Sequence, residues 1–136
     1  MNFLKTITLS YIILLGTFLY SQEVQIGLGA IDEGSIEVTM DTPYDVGGFQ
    51  FDVPGATLSG GSGGLAQDAG FVVSVGGETA LGFSFTGATI PAGSSGVLTN
   101  LSGTFPSADS ICLSLGTGAI SDSNGQALDT NFGEDD

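Results

Sequence analysis

Gly48-Phe49-Gln50-Phe51-Asp52-Val53 is the stretch that decides the fold class. In an extended chain Phe49, Phe51 and Val53 fall on one side and Gln50 and Asp52 on the other, the alternation of a strand with one buried face. A helix would scatter the same residues around its circumference. Pro54-Gly55 ends the run, because proline lacks the N–H that a strand ladder uses and glycine takes turn conformations freely.

The same alternation spreads outward from this strand. Upstream, Glu23–Leu28 and Gly34–Met40 alternate polar and apolar, and Asp41-Thr42-Pro43-Tyr44-Asp45 is a turn cluster. Downstream, Ala56–Leu58 runs into Ser59-Gly60-Gly61-Ser62-Gly63-Gly64, a composition that predicts a flexible surface loop. That run has neither the Lys nor the strand-loop-helix setting of a phosphate-cradling loop. Leu65–Ala69 has room for one helical turn. Strands are expected at Phe71–Val75, Ala80–Phe85, Val97–Phe105 and Ser110–Leu115, with a loop over Thr89–Gly96. Asn124-Gly125, between the short β-prone runs of Ala119–Asp129, is a hairpin signal.

About eight or nine short strands, close turns and no sustained helical period predict an all-β, antiparallel two-sheet β-sandwich. A closed barrel is the competing architecture. Phe49, Phe51, Phe71, Phe83 and Phe85 are the side chains expected to point inward, since each ring removes about 150–250 Å² from water.

The first residues suggest export. Lys5 precedes the uncharged apolar run Ile7–Tyr20, which is shorter than the ~20 residues a spanning helix needs. This is the pattern of a cleaved secretory signal peptide over residues 1–21, with the small Ser21 before the cut. The domain is then expected over residues 22–130, with an acidic tail over 131–136 or the start of a continuation into a longer protein. After cleavage no stable membrane span remains.

Taken in sequence, Gly47-Gly48-Phe49-Gln50-Phe51-Asp52-Val53, Gly82-Phe83-Ser84-Phe85-Thr86-Gly87, Ile90-Pro91-Ala92-Gly93 before Val97-Leu98, and Ile120-Ser121-Asp122-Ser123-Asn124-Gly125 form an ordered set. It resembles the cohesin-like branch of the bacterial carbohydrate-binding β-sandwich superfamily, over about residues 24–130. The resemblance implies a nine-stranded jelly-roll and a role in surface or extracellular assembly with a protein or glycan partner. Cohesins bind dockerin modules through one sheet face, and no motif here fixes which residues would make those contacts. The expected function is a non-catalytic, secreted or cell-surface module for adhesion or assembly. The alternatives are a carbohydrate-binding module and a structural matrix or filament subunit.

Candidate chemistry is confined to oxygen ligands. The chain has no His, its one cysteine is Cys112, and it has no Trp. Serine-protease chemistry lacks a base, and the usual zinc sites lack ligands. Cys112 cannot form an intrachain disulfide. Within Ile111-Cys112-Leu113 it is expected to be a buried small hydrophobe, with an intermolecular disulfide as the alternative. The carboxylate pairs Asp45 with Asp52 and Asp122 with Asp129 have no feature beyond spacing to suggest glycoside hydrolysis. No enzyme activity is expected. Calcium is the one cofactor worth naming, through Asp122, Asn124 and Asp129 around the hairpin, although the loop is not an EF-hand. A weaker acidic group, Asp32-Glu33 with Asp41 and Asp45, is expected at one end of the sandwich.

The charge balance narrows the partners. The chain has 15 acids and one base, Lys5, so the expected mature chain has no Lys, Arg or His. Nothing in it could neutralise nucleic-acid phosphates or dock on an anionic membrane. Its own charges repel with no side-chain cation to offset them. Salt should therefore stabilise it: the melting temperature is expected to rise with added NaCl, by roughly 4 °C for each kcal/mol of repulsion removed. Calorimetry across ionic strength checks this, and a melting temperature that falls with salt would contradict it.

Overall fold

The computed structural model describes residues 23–132. The expected signal segment, residues 1–21, lies outside the described residues, as do residues 133–136. Ten strands follow one another: β1 (Val24–Asp32), β2 (Ser35–Asp41), β3 (Gly48–Asp52), β4 (Thr57–Ser62), β5 (Val72–Gly76), β6 (Thr79–Phe83), β7 (Ser95–Thr104), β8 (Ile120–Ser121), β9 (Ala127–Leu128) and β10 (Thr130–Asn131). A short helix, α1 (Gly64–Asp68), links β4 to β5.

The strands form two five-stranded sheets, ordered β10-β1-β2-β7-β4 and β5-β6-β3-β8-β9. Neighbours are antiparallel except β1 and β10, which run parallel through Val24↔Thr130 and Gln25↔Asn131. The expected two-sheet sandwich is therefore the observed one. Alternation explains its core. β2 buries Ile36, Val38 and Met40 and turns Ser35, Glu37 and Thr39 outward, while β3 buries Phe49 and Phe51 between Gly48, Gln50 and Asp52. Leu98 and Leu101 of β7 and Val24 and Ile26 of β1, from the other sheet, belong to the same buried core as these rings. Phe49 stacks on Phe51 and on Phe71, with centroids 5.9 and 6.1 Å apart.

Phe83 and Phe85 do not join that core. Leu81, Phe83 and Phe85 do share one side, but it is the outer one: Phe83 is half-buried and Phe85 is 82% exposed. The inward residues of β6 are Ala80 and Gly82. The reason is volume. Phe51 lies opposite Ala80 and Phe49 opposite Gly82, and a side chain on Gly82 would occupy the Phe49 ring. Two large residues on β3 require two small ones on β6. Because strand faces alternate, that requirement turns the larger side chains of β6 outward.

The glycine run also differs from expectation. Thr57–Ser62 is a strand paired to β7, from Thr57↔Thr104 to Ser62↔Asn100, with a bulge between Leu58 and Gly60. Gly61 and Gly64 serve close packing. A Cβ on Gly61 would stand 2.5 Å from Val73 Cγ1, and one on Gly64 would stand 2.5 Å from the backbone oxygens of Val97 and Leu98. Ser110–Leu115 forms no strand, apart from the single bridge Asp52↔Ser114. A 3₁₀ turn at Ala108–Ser110 leads into it. Ile111 and Leu113 are buried and Cys112, pointing the other way, is only half-buried. At the end, β10 and the buried Phe132 carry ordered structure into the stretch expected to be tail.

Strand directions define two ends. The β1–β2 turn, the Pro54-Gly55 turn and the exit of β7 lie together, with Gly103 N–H donating to Gly34 O at 3.1 Å. The opposite end holds the start of β3, the exit of β6 with Phe85, and the β8–β9 turn.

The Phe49–Gly82 contact yields a stability prediction. Gly82→Ala is expected to destabilise by about 1–3 kcal/mol through overpacking, with part of the loss recovered in Gly82→Ala/Phe49→Leu. Leu81→Ser, one residue away on the outer side, is expected to cost within about 0.5 kcal/mol. Urea melts of the variants measure all three.

Candidate functional site

The outer side of the second sheet is built from the residues that the core rejects. In register, Val72, Phe83 and Gly48 form one row, Ser74, Leu81 and Gln50 the next, and Gly76, Thr79 and Asp52 the last. Ser121 extends the first row from β8. Val72 and Leu81 are 42% and 39% exposed. The one carboxylate in these rows, Asp52, lies at the strand end and accepts a hydrogen bond from Thr79 Oγ1 at 2.7 Å.

Small residues cut a trough into this face. It has a volume of about 390 Å³ and is lined by Leu81, Phe83 and the segment Thr117–Ala119. Its depth depends on glycine: a Cβ on Gly48 would stand 3.3 Å from Ser121 Oγ, and one on Gly118 would collide with the Gln50 carbonyl. The outer side of the first sheet is different in kind. Gln25, Glu37, Thr39, Asp41, Asn100 and Ser102 dominate it, with Val97 among them. Glu37 there accepts the Ala30 N–H at 3.0 Å.

The second face carries Val72, Leu81 and Phe83 and has no charge at its centre, on a chain of formal net charge −14. Its strand β6 opens a longer uncharged stretch: no Asp, Glu, Lys or Arg occurs between Glu78 and Asp109. Such a surface can lose its water against another apolar surface without burying an unpaired charge.

The expected calcium ligands take separate places. Asp122 sits in the β8–β9 turn, where its Oδ1 accepts the N–H groups of Asn124 and Gln126, both at 2.9 Å. Gly125, at φ +81°, closes the turn by donating to Asp122 O at 3.0 Å. Asn124 is exposed within the turn. Asp129 lies past the Ile120↔Leu128 pair, at the other end of the two-residue ladder, on the order of 10 Å from Asp122 along the strands. Among the described residues no three His, Cys, Asp or Glu side chains converge as a metal site would require.

The weaker acidic group is divided. Asp32 pairs with Ser35 at one end of β2 while Asp41 stands at its other end, on the order of 20 Å away. Asp45 is engaged elsewhere, accepting the Ala92 N–H at 2.8 Å. Every buried side-chain polar atom among the described residues has a hydrogen-bond partner. No helix among them is long and apolar enough to cross a membrane.

Sequence reasoning missed the apolar face because it expected Phe83 and Phe85 in the core. The signal that could have found it is the pair Ala80 and Gly82 facing Phe51 and Phe49, together with the charge-free stretch between Glu78 and Asp109.

No family model matches the sequence, and no curated protein matches it. Solved structures do. A non-cellulosomal cohesin from the hyperthermophilic archaeon Archaeoglobus fulgidus aligns with a TM-score of 0.55 and 16% identity, over 81% of this chain and 86% of that one. The sixth cohesin from scaffoldin B of Acetivibrio cellulolyticus, crystallised in complex with a Cel5 dockerin variant, aligns at 0.51 and 14%, over 81% and 94%. A chain of the CaDoc0917–CaCohA2 complex aligns at 0.52 and 17%, over 79% and 92%. The chain has the cohesin-like β-sandwich fold.

Proposed function

We propose that this chain is a non-catalytic, exported module that docks a protein partner through the outer face of the β5-β6-β3-β8-β9 sheet. The observation that carries the reading is that face itself: Val72, Leu81 and Phe83 beside a trough, without charge at its centre, on a strongly acidic chain. Two of the similar structures come from complexes, one of them of a scaffoldin cohesin with a dockerin. The apolar, signal-like pattern of residues 1–21 supports the exported reading. A glycan partner is the weaker reading, because the face has neither Trp nor Tyr to stack a sugar ring.

Purified dockerin modules and a glycan array, offered to the wild type and to Leu81→Asp, test the proposal. The expected result is a protein partner whose affinity falls at least about 30-fold in Leu81→Asp, the loss of a hot spot of about 2 kcal/mol, with the melting temperature kept. Binding of glycans alone, or protein binding that ignores Leu81→Asp and is lost in Asp41→Ala, would overturn it.

Calcium at Asp122, Asn124 and Asp129 is a separate proposal, supported by the oxygen-rich hairpin. A ligand that binds only the folded state raises the melting temperature. If the ion binds, millimolar calcium raises the melting temperature above its value in EDTA at equal ionic strength, and Asp129→Ala abolishes the rise. With no rise, Asp122 serves its turn alone. Asp122→Ala then costs about 1 kcal/mol for the lost backbone acceptor, and Asp129→Ala costs within about 0.5 kcal/mol.

A further inference from the structure

Two apolar features remain outside the docking face, and they stand at opposite ends of the sandwich. The first is Phe85, 82% exposed just beyond the exit of β6. It is held rather than loose. Ser84 Oγ accepts the N–H groups of Thr86 at 3.2 Å and Ala88 at 3.1 Å, which pins the turn. Gly87, at φ +75°, lets the chain reverse. The Phe83 ring supports Phe85 edge-on, with centroids 5.1 Å apart and planes at 87°. The second feature is a groove of about 560 Å³ between the β1–β2 turn and the chain leaving β7. Ile31, Phe105, Pro106 and Ile111 supply its apolar lining, and Asp32 and Glu33 stand among the lining residues. Ile31 there is 38% exposed.

We propose that the occupant of this groove is Phe85 of a second copy, so that the chain associates head to tail. Charge selects that occupant. Two copies cannot attract each other through ion pairs, because the described residues contain no Lys, Arg or His. A self-contact must therefore be made by an uncharged element. The turn bearing Phe85 lies inside the charge-free stretch between Glu78 and Asp109, and a neutral ring can approach Asp32 and Glu33 where an acidic turn would be repelled. The rim of a phenyl ring carries its positive quadrupole edge, which suits a carboxylate neighbour. Knob and groove occupy different surfaces at opposite ends, so the contact is heterologous and propagates instead of closing as a two-fold dimer. The outer sheet face runs between these ends and stays free, so an array would display successive docking faces side by side. The inference does not rest on that docking role.

One aromatic anchor and its surroundings bury less than a standard interface, so the association is weak and concentration-dependent. Like charges on the two copies oppose it, so it strengthens with salt. Sedimentation velocity on protein recovered from the periplasm of an expression host tests it. The wild type is expected to show a weight-average sedimentation coefficient that rises with protein and NaCl concentration. Phe85→Ala and Ile31→Asp, both changes at exposed positions, are each expected to remain monomeric. Mixed together they should form a dimer and nothing larger, because one variant keeps the groove and the other keeps the knob. Leu81→Asp, on the sheet face, should self-associate like the wild type. A wild type that stays monomeric at all salt concentrations would overturn the proposal. So would a Phe85→Ala chain that still associates, or a mixture of the two variants that stays monomeric.

Discussion

The Phe49 ring fills the space above Gly82, and most of the second sheet follows from that contact. β3 supplies two phenyl rings to a core that the opposite sheet closes with Ile, Val, Leu and Met. The neighbouring strand must then be small on its inner side, which it is at Ala80 and Gly82. Alternation leaves no choice about the rest: Leu81 and Phe83 go outward. The exposed apolar face is thus a consequence of how the core is filled. A single glycine couples core packing on one side of the sheet to the apolar surface on the other.

The second constraint is electrostatic. A chain with 15 acids and one base cannot hold its surface together with ion pairs. Its carboxylates instead accept hydrogen bonds from nearby backbone or hydroxyl groups: Asp122 in the hairpin turn, Asp45 at Ala92, Glu78 at Gly55 and Asp52 at Thr79. These contacts organise turns without a counter-charge. The same imbalance gives weight to the uncharged stretch between Glu78 and Asp109, where the chain can meet another surface without repulsion.

The sandwich was legible from period alone, because β2 and β3 alternate strictly and the Asn124-Gly125 turn marks its hairpin. Which side of β6 faces the core was not. Its apolar residues alternate as cleanly as those of β3, and only the volume of a neighbour distant in sequence decides between the two sides. The glycine run differs from expectation for a related reason: composition reports flexibility, whereas contacts with Val73 and Leu101 at Gly61 and with Leu98 at Gly64 call for small residues. Ser110–Leu115 has a strand's composition and buries Ile111 and Leu113 without a continuous partner strand. The hairpin acids were placed near one another by sequence distance, and the ladder between them separates Asp129 from the turn.

The orientation of β6 is the claim on which the docking face depends, and thiol accessibility tests it most directly. In a Cys112→Ser background, Leu81→Cys and Ala80→Cys would be treated with a maleimide under native conditions, where only exposed thiols react quickly. The account predicts rapid labelling at position 81 and protection at position 80 until the protein unfolds. Rapid labelling at position 80 with protection at position 81 would mean that β6 presents its other side to solvent, and the proposed docking face would not exist.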